Sequence, residues 1–165
     1  MSLPKIAVTM GDPAGIGPEI CLQLLQNKEL AKQCVPIIFG DRQVLEQSAE
    51  QCGLAKPAKY IGGLAVAEEP CVLDLGAITT SDFATGTVNA ATGRAGYTYV
   101  EDAINAALSG QVAAVTTAPL NKEALHAGGH IFPGHTEILA ELTGTESYSM
   151  MLATPKMKVI HLTTH

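Results

Sequence analysis

Tryptophan is missing from the 165 residues, and aromatic side chains make up only 4% of them. With 47% of the chain hydrophobic, the interior must be filled by Ala, Leu, Ile and Val. Basic residues are also scarce. Ten Lys and Arg against 16 Asp and Glu leave a formal net charge of −6, which argues against a general nucleic-acid binder. No apolar run approaches the length of a membrane span, and the N-terminus lacks a signal-peptide pattern. A cytoplasmic protein without nucleic-acid or membrane partners is therefore expected. Cys21, Cys34, Cys52 and Cys71 lie far apart with no CxxC, which suggests neither zinc nor a disulfide framework, only buried thiols kept reduced. HExxH, GxSxG and GxGxxG are all lacking, and Gly17 stands where a P-loop would place its lysine.

What is present alternates between strand and helix. "KIAVTM" reads as a buried strand and is followed by "GDPAGIGP", three glycines and two prolines in eight residues. "PEICLQLLQNKEL" then carries Ile20, Leu24 and Leu25 at helical spacing, with Pro18 and Glu19 suited to a first turn. "VPIIFG" is a second strand, and "DRQVLEQSAEQCGL" a helix with Asp41 as its N-cap. "CVLDLG" (71–76) is a third strand, and 77–91 a loop. Residues 92–109 form a long helix with Gly96, Val100, Ala103, Ile104, Ala107 and Leu108 on one stripe, stopped at Gly110. "VAAVTTA" (112–118) reads as a buried strand, followed by short helices near 121–127 and 136–143. Two strands then flank a turn at Pro155. The pattern predicts an α/β fold with a mostly parallel or mixed sheet and no internal domain boundary over 1–165.

The candidate chemistry gathers where strands give way to helices. The 11–17 turn either presents backbone N–H groups to an anion or is a tight connection whose glycines take positive φ. Asp12 stands at the C-terminal end of its strand, where open α/β sheets place ligands. Lys122 falls in a first helical turn, as a solvated side chain or as a cation reaching into a cleft. His135 and Thr136 open an amphipathic helix beside its free N–H groups. His126 and His130 are four apart, but Gly128 and Gly129 between them argue against a metal pair. His161 and His165 would stand roughly 13 Å apart on an extended strand, too far to share one ion. Of these two, His165 is the better site candidate and His161 the better core residue.

Four motifs, "GDPAGIGPE", "TAPLNKEAL", "FPGHTEILAELTG" and "KVIHLTTH", stand in this order. Together they resemble the 4-hydroxythreonine-4-phosphate dehydrogenase family of the vitamin B6 pathway, over essentially the whole chain. The resemblance implies an isocitrate/isopropylmalate dehydrogenase-like sheet with flanking helices. It also implies NAD (or NADP)-dependent oxidation and decarboxylation of 4-phosphooxy-L-threonine, assisted by a divalent metal (Zn, Mg or Co). His135 and Thr136 match the substrate-binding pair and His165 the first of three metal histidines. Asp12, Gly15 and Gly17 would lie where cofactor and substrate meet, and Lys122 matches a lysine proposed for substrate contact or proton transfer. Family members are homodimers about twice as long, so this chain corresponds to an N-terminal portion expected to be inactive alone. The wording of "APLNKEALH" and "KVIHLTTH" also resembles a sister branch acting on 4-phospho-D-threonate or 4-phospho-D-erythronate. Two readings from other classes are a phosphate-acyl transferase, which would be indifferent to chelator and to His165, and a non-catalytic ligand-binding fragment.

Overall fold

The computed structural model describes residues 3–161. The β-branched run after Pro4 forms β1 (Lys5–Thr9), which pairs in parallel with β2 (Val35–Gly40), Lys5 opposite Val35 and Thr9 opposite Phe39. β4 (Cys71–Asp74) lies against the other side of β2, and the two-residue β3 (Tyr60–Ile61), which no patterning revealed, pairs with β4. Beyond β1, on the opposite flank, lies β5 (Ala114–Thr117). The sheet order is β3-β4-β2-β1-β5, and every pairing is parallel. Parallel neighbours need crossovers, which are supplied by α1 (Gly17–Leu25), α2 (Arg42–Cys52) and α3 (Ala90–Leu108). Two short helices follow β5: α4 (Lys122–Ala127) and α5 (His135–Leu142). The α/β class and the parallel sheet are as predicted.

Burial shows where the sequence pattern misleads. All six residues of β2 are buried, as a central parallel strand covered on both faces requires. β5 has an equally apolar neighbourhood, yet it alternates exposed and half-buried, because it is the outermost strand of the sheet among the described residues. The expectation of a buried strand there is corrected. On α1 the buried side chains are Pro18, Cys21 and Leu22, while Ile20 faces out. That helix also ends at Leu25 instead of running to Leu30, since the Asn27 carboxamide oxygen accepts from the Glu29 and Leu30 N–H groups and starts a separate 3-10 turn. α3 is buried on two sides. Ala95, Tyr99, Ala103 and Ala106 join the sheet core, while Val100 and Ile104 meet Leu125 of α4 and Ile138 of α5. Leu108, placed on the buried stripe by spacing, is 61% exposed in the last turn. Of the cysteines, Cys21 and Cys71 are buried, Cys34 is half-buried and Cys52 is exposed, so only part of that expectation holds. Burial pushes the Cys21 thiol up to about 12, which leaves it inert.

Helix starts follow the capping chemistry in two cases and depart from it in a third. Asn89 accepts from the Ala91 N–H at the head of α3, two residues earlier than spacing suggested, and Asn121 accepts from Ala124 at the head of α4. Asp41 does occupy the N-cap position of α2, but its carboxylate makes no cap bond. Asp74, at the end of neighbouring β4, accepts from the Arg42 N–H at 3.0 Å instead. Asp74→Ala should therefore lower stability by about 0.5–1 kcal/mol, read as a shifted urea midpoint with unchanged slope. Equal stability of the two chains would show that water serves the Arg42 N–H as well.

Past α5 the chain forms an antiparallel hairpin of β6 (Met151–Ala153) and β7 (Lys158–Ile160) around the expected turn at Pro155. The Thr154 hydroxyl oxygen accepts from the Lys156 and Met157 N–H groups and closes that turn. Every strand residue of the hairpin is exposed. Among the described residues no helix is long and apolar enough to cross a membrane.

Candidate functional site

From β1 the chain moves to one side of the sheet, through β2 and β4, and β5 returns on the other side of β1. Strand order thus reverses between β1 and β5, and their C-terminal ends flank the crevice in which open α/β sheets hold ligands. Two loops meet there. The Ala118 N–H donates to the Thr9 carbonyl at 3.0 Å and the Asp12 N–H to the Pro119 carbonyl at 2.9 Å. So close an approach excludes a side chain at Gly11, whose φ is +75° and whose Cβ would overlap the Pro119 carbonyl oxygen. The glycine-rich turn and the "TTAPLNK" bend, 107 residues apart by Asp12 and Pro119 (119 − 12), form one rim.

The rim residues differ in what they offer. Asp12 is buried, and its Oδ1 accepts from the Ala14 N–H at 2.9 Å, so part of the carboxylate shapes the turn itself. Gly15 is exposed, with the Asp12 carbonyl oxygen at 3.4 Å as the nearest neighbour of an added Cβ. Gly17 is buried, and its missing side chain makes room for the Met10 carbonyl. Of the three glycines only Gly11 takes positive φ, as the tight-connection reading expects; Gly11 and Gly17 admit neighbouring backbone, and Gly15 alone opens to solvent. Lys122, first residue of α4, is exposed, next to Glu123.

His135 and Thr136 begin α5, both half-buried, after Gly134 in extended conformation and with no side-chain cap. The His135 Nε2 is buried without a hydrogen-bond partner. Burial lowers the imidazole below its ordinary range, and the backbone of Ala118 pulls weakly the other way. Ala118 follows β5 directly, so His135 adjoins the β1–β5 rim. A neutral ring with one nitrogen free can bond a hydroxyl or an anionic oxygen, depending on tautomer.

The other histidines are placed differently. His126 Nε2 lies 2.9 Å from the Phe132 carbonyl and must donate to it, since a carbonyl only accepts. His130 stacks on Tyr97 with ring centroids 3.7 Å apart. The two rings are thus engaged with different partners. Both pin the segment leading to His135. His161 is half-buried just beyond β7, and its N–H donates to the Met150 carbonyl, so it belongs to the hairpin rather than to the core. His165 lies outside the described residues. Among those described, no group of three His, Cys, Asp or Glu side chains could hold a metal ion. Sequence reasoning missed the buried Asp41–Tyr99 pair at this same edge; the helical phase of Tyr99, four after Ala95 and four before Ala103, was the available signal.

Comparison with known proteins is extensive. A family model described as pyridoxal phosphate biosynthetic protein PdxA matches residues 32–165. A putative D-threonate 4-phosphate dehydrogenase of Oceanobacillus iheyensis is 47% identical over 98% of this chain and 50% of its own length. A 4-hydroxythreonine-4-phosphate dehydrogenase of Trichlorobacter lovleyi is 37% identical over 98% of this chain and 50% of its own. The crystal structure of a 4-hydroxythreonine-4-phosphate dehydrogenase from Burkholderia phymatum superimposes with a TM-score of 0.87 at 43% identity, covering 100% of this chain and 51% of that one. The chain spans about half the length of the curated relatives it matches.

Proposed function

Because the chain belongs to the family of pyridoxal phosphate biosynthetic protein PdxA, we propose that it supplies the substrate-binding rim of a dehydrogenase acting on a phosphorylated four-carbon hydroxy acid. The observation that carries this reading is the unpartnered, buried Nε2 of His135 beside the β1–β5 crevice. A buried polar atom without a partner costs stability, on the order of 1–3 kcal/mol, unless a ligand satisfies it. A substrate hydroxyl or carboxylate is of the right chemistry to do so.

The remaining roles follow from position. The uncapped N–H groups of α5 and the Thr136 hydroxyl favour an anionic oxygen. Lys122, on the first turn of α4, offers a mobile cation to the substrate's phosphate or carboxylate, or to a proton in transit. Asp12, Gly15 and Gly17 belong to the turn assigned to the cofactor, and Gly15 is the position whose backbone a ligand could approach. NAD or NADP would accept the hydride, and a divalent cation (Zn, Mg or Co) would polarise the substrate's oxygens during oxidation and decarboxylation. His165 is the residue of this chain proposed for that cation. Among the described residues no group of three His, Cys, Asp or Glu stands ready to complete its coordination.

The identities of 47% and 37% favour D-threonate 4-phosphate as the first substrate to test, with 4-phosphooxy-L-threonine of vitamin B6 synthesis second. A cytoplasmic setting suits the free thiols. Homodimer formation by the whole protein is part of the proposal. It is supported by the exposed apolar hairpin, where Met151, Leu152 and Ile160 are each at least 50% exposed and an isolated two-stranded ribbon is marginal in water.

The test begins with the coding DNA beyond the codon for His165. The 165-residue chain and any longer product are then assayed for NAD and NADP reduction with each substrate, with and without chelator. The expected outcome is no turnover by the short chain and chelator-sensitive turnover by the longer one. Chelator-insensitive turnover would remove the metal from the mechanism, and turnover by the short chain would overturn its predicted inactivity.

A further inference from the structure

The hydrogen bonds at the C-terminal edge of β2 lead into the long segment between β4 and α3. Asp41 is buried, and its two carboxylate oxygens are committed to different elements. Oδ1 accepts from the Ala77 N–H at 2.7 Å, and Oδ2 accepts a close hydrogen bond from the Tyr99 hydroxyl of α3. Ile78, also buried, brings a further backbone donor near the same carboxylate. An aspartate at an N-cap position ordinarily serves its own helix; here Asp74 has that task, so Asp41 is free for the 77–88 segment.

That segment continues over the glycine-rich turn. The Asp82 carboxylate accepts from the Thr79 N–H and hydroxyl, and the Asn89 amide donates to the Asp82 carbonyl, which folds the segment on itself. The Gly86 N–H then donates to the Ala14 carbonyl at 2.8 Å. Phe83 and Thr85 face Gly15 and Pro18 across a recess of about 20 Å³, room for little more than one water.

We propose that Asp41 is a positioning residue, whose carboxylate latches segment 77–88 through Ala77 and Tyr99 so that the segment forms a wall beside the 11–17 turn. The carboxylate's hydrogen bonds go to Ala77 and Tyr99, not to the turn itself. It sets the root of the wall, and the Gly86–Ala14 bond sets its tip. This requires no assumption about substrate or cofactor, so its test stands apart from the dehydrogenase reading.

Hydrogen exchange of the 165-residue chain, followed by mass spectrometry, reads the wall directly. Asp41→Ala and Tyr99→Phe should each accelerate exchange across 77–88 by about tenfold or more while peptides from β1 and β2 keep their protection. Asp41→Asn should retain protection, because its amide oxygen can still accept from Ala77 while its NH₂ donates to the tyrosine oxygen. Should Asp41→Ala not fold, Tyr99→Phe, which removes one hydroxyl, decides alone. Unchanged exchange in 77–88 would overturn the proposal, as would equal acceleration in β1 and β2, which marks a merely structural core group. Loss of protection in Asp41→Asn would overturn the hydrogen-bonded latch.

Discussion

Gly17→Ala is expected to lower stability by about 3 kcal/mol or to prevent folding, while Gly15→Ala, two residues earlier, stays within about 0.5 kcal/mol of the parent. The difference lies in what each added methyl would meet. At Gly17 it would overlap the Met10 carbonyl oxygen and stand 3.3 Å from the Ala118 Cβ. Neither neighbour can yield easily, because Met10 is fully buried and its N–H is bonded to the Phe39 carbonyl of the central strand. Helix α1 would have to move away from the sheet, taking buried Cys21 and Leu22 with it. At Gly15 the nearest atoms are the Asp12 carbonyl oxygen and Cβ, at 3.4 and 3.5 Å, and the rest is open. Urea unfolding followed by far-UV circular dichroism is the measurement, since the chain has no tryptophan to report by fluorescence. Comparable losses at both positions would mean that the whole turn is rigidly packed. A stable Gly15→Ala chain makes the second step possible: in the longer protein it should weaken cofactor binding if ligand backbone contact occurs there.

His135→Asn is expected to reduce kcat/KM of the longer protein about a hundredfold or more, on the order of 3 kcal/mol of transition-state stabilisation, with little loss of folded stability. The imidazole is half-buried and its Nε2 has no protein partner, so the variant gives up only the ring's contact with the Ala118 backbone. A pH experiment separates this from general damage. Burial lowers the folded-state value of His135 below its ordinary one. The unfolded chain therefore binds the proton more readily, and stability present above about pH 6.5 is lost as pH falls through the folded value. In His135→Asn that component of the slope should vanish. A variant that keeps both full activity and the parental slope would remove His135 from the site.

Much of this arrangement is legible in the chain itself. β1, β2 and the positions of α2, α4 and α5 follow from apolar spacing and cap residues, and Asn121 begins α4 as its side chain dictates. The failures have a common physical cause. Spacing reports how apolar a segment is, not how many neighbours cover it, so β5 reads as buried although it is the outer strand. Capping rules weigh a residue against its own helix, so they assign Asp41 to α2 and overlook a rival donor 36 residues on, at Ala77. Glycines in the sequence indicate freedom but not its use. Gly93, unremarkable in the long helix, is where a Cβ would overlap the Ala124 carbonyl oxygen of α4.

The sequence by itself determined the alternation of strands and helices, the candidates His135, Thr136, Lys122 and the 11–17 turn, and the family, because these rest on local periodicity, local caps and motif order. Only the tertiary structure decided which candidates meet. Pairing of β5 with β1 brings Asp12 against Pro119 and the head of α5 near Ala118. Tertiary packing likewise sets Gly17 against Met10 and commits Asp41 to Ala77 and Tyr99 instead of its own helix, because close packing and the satisfaction of buried polar groups depend on residues far apart in the chain.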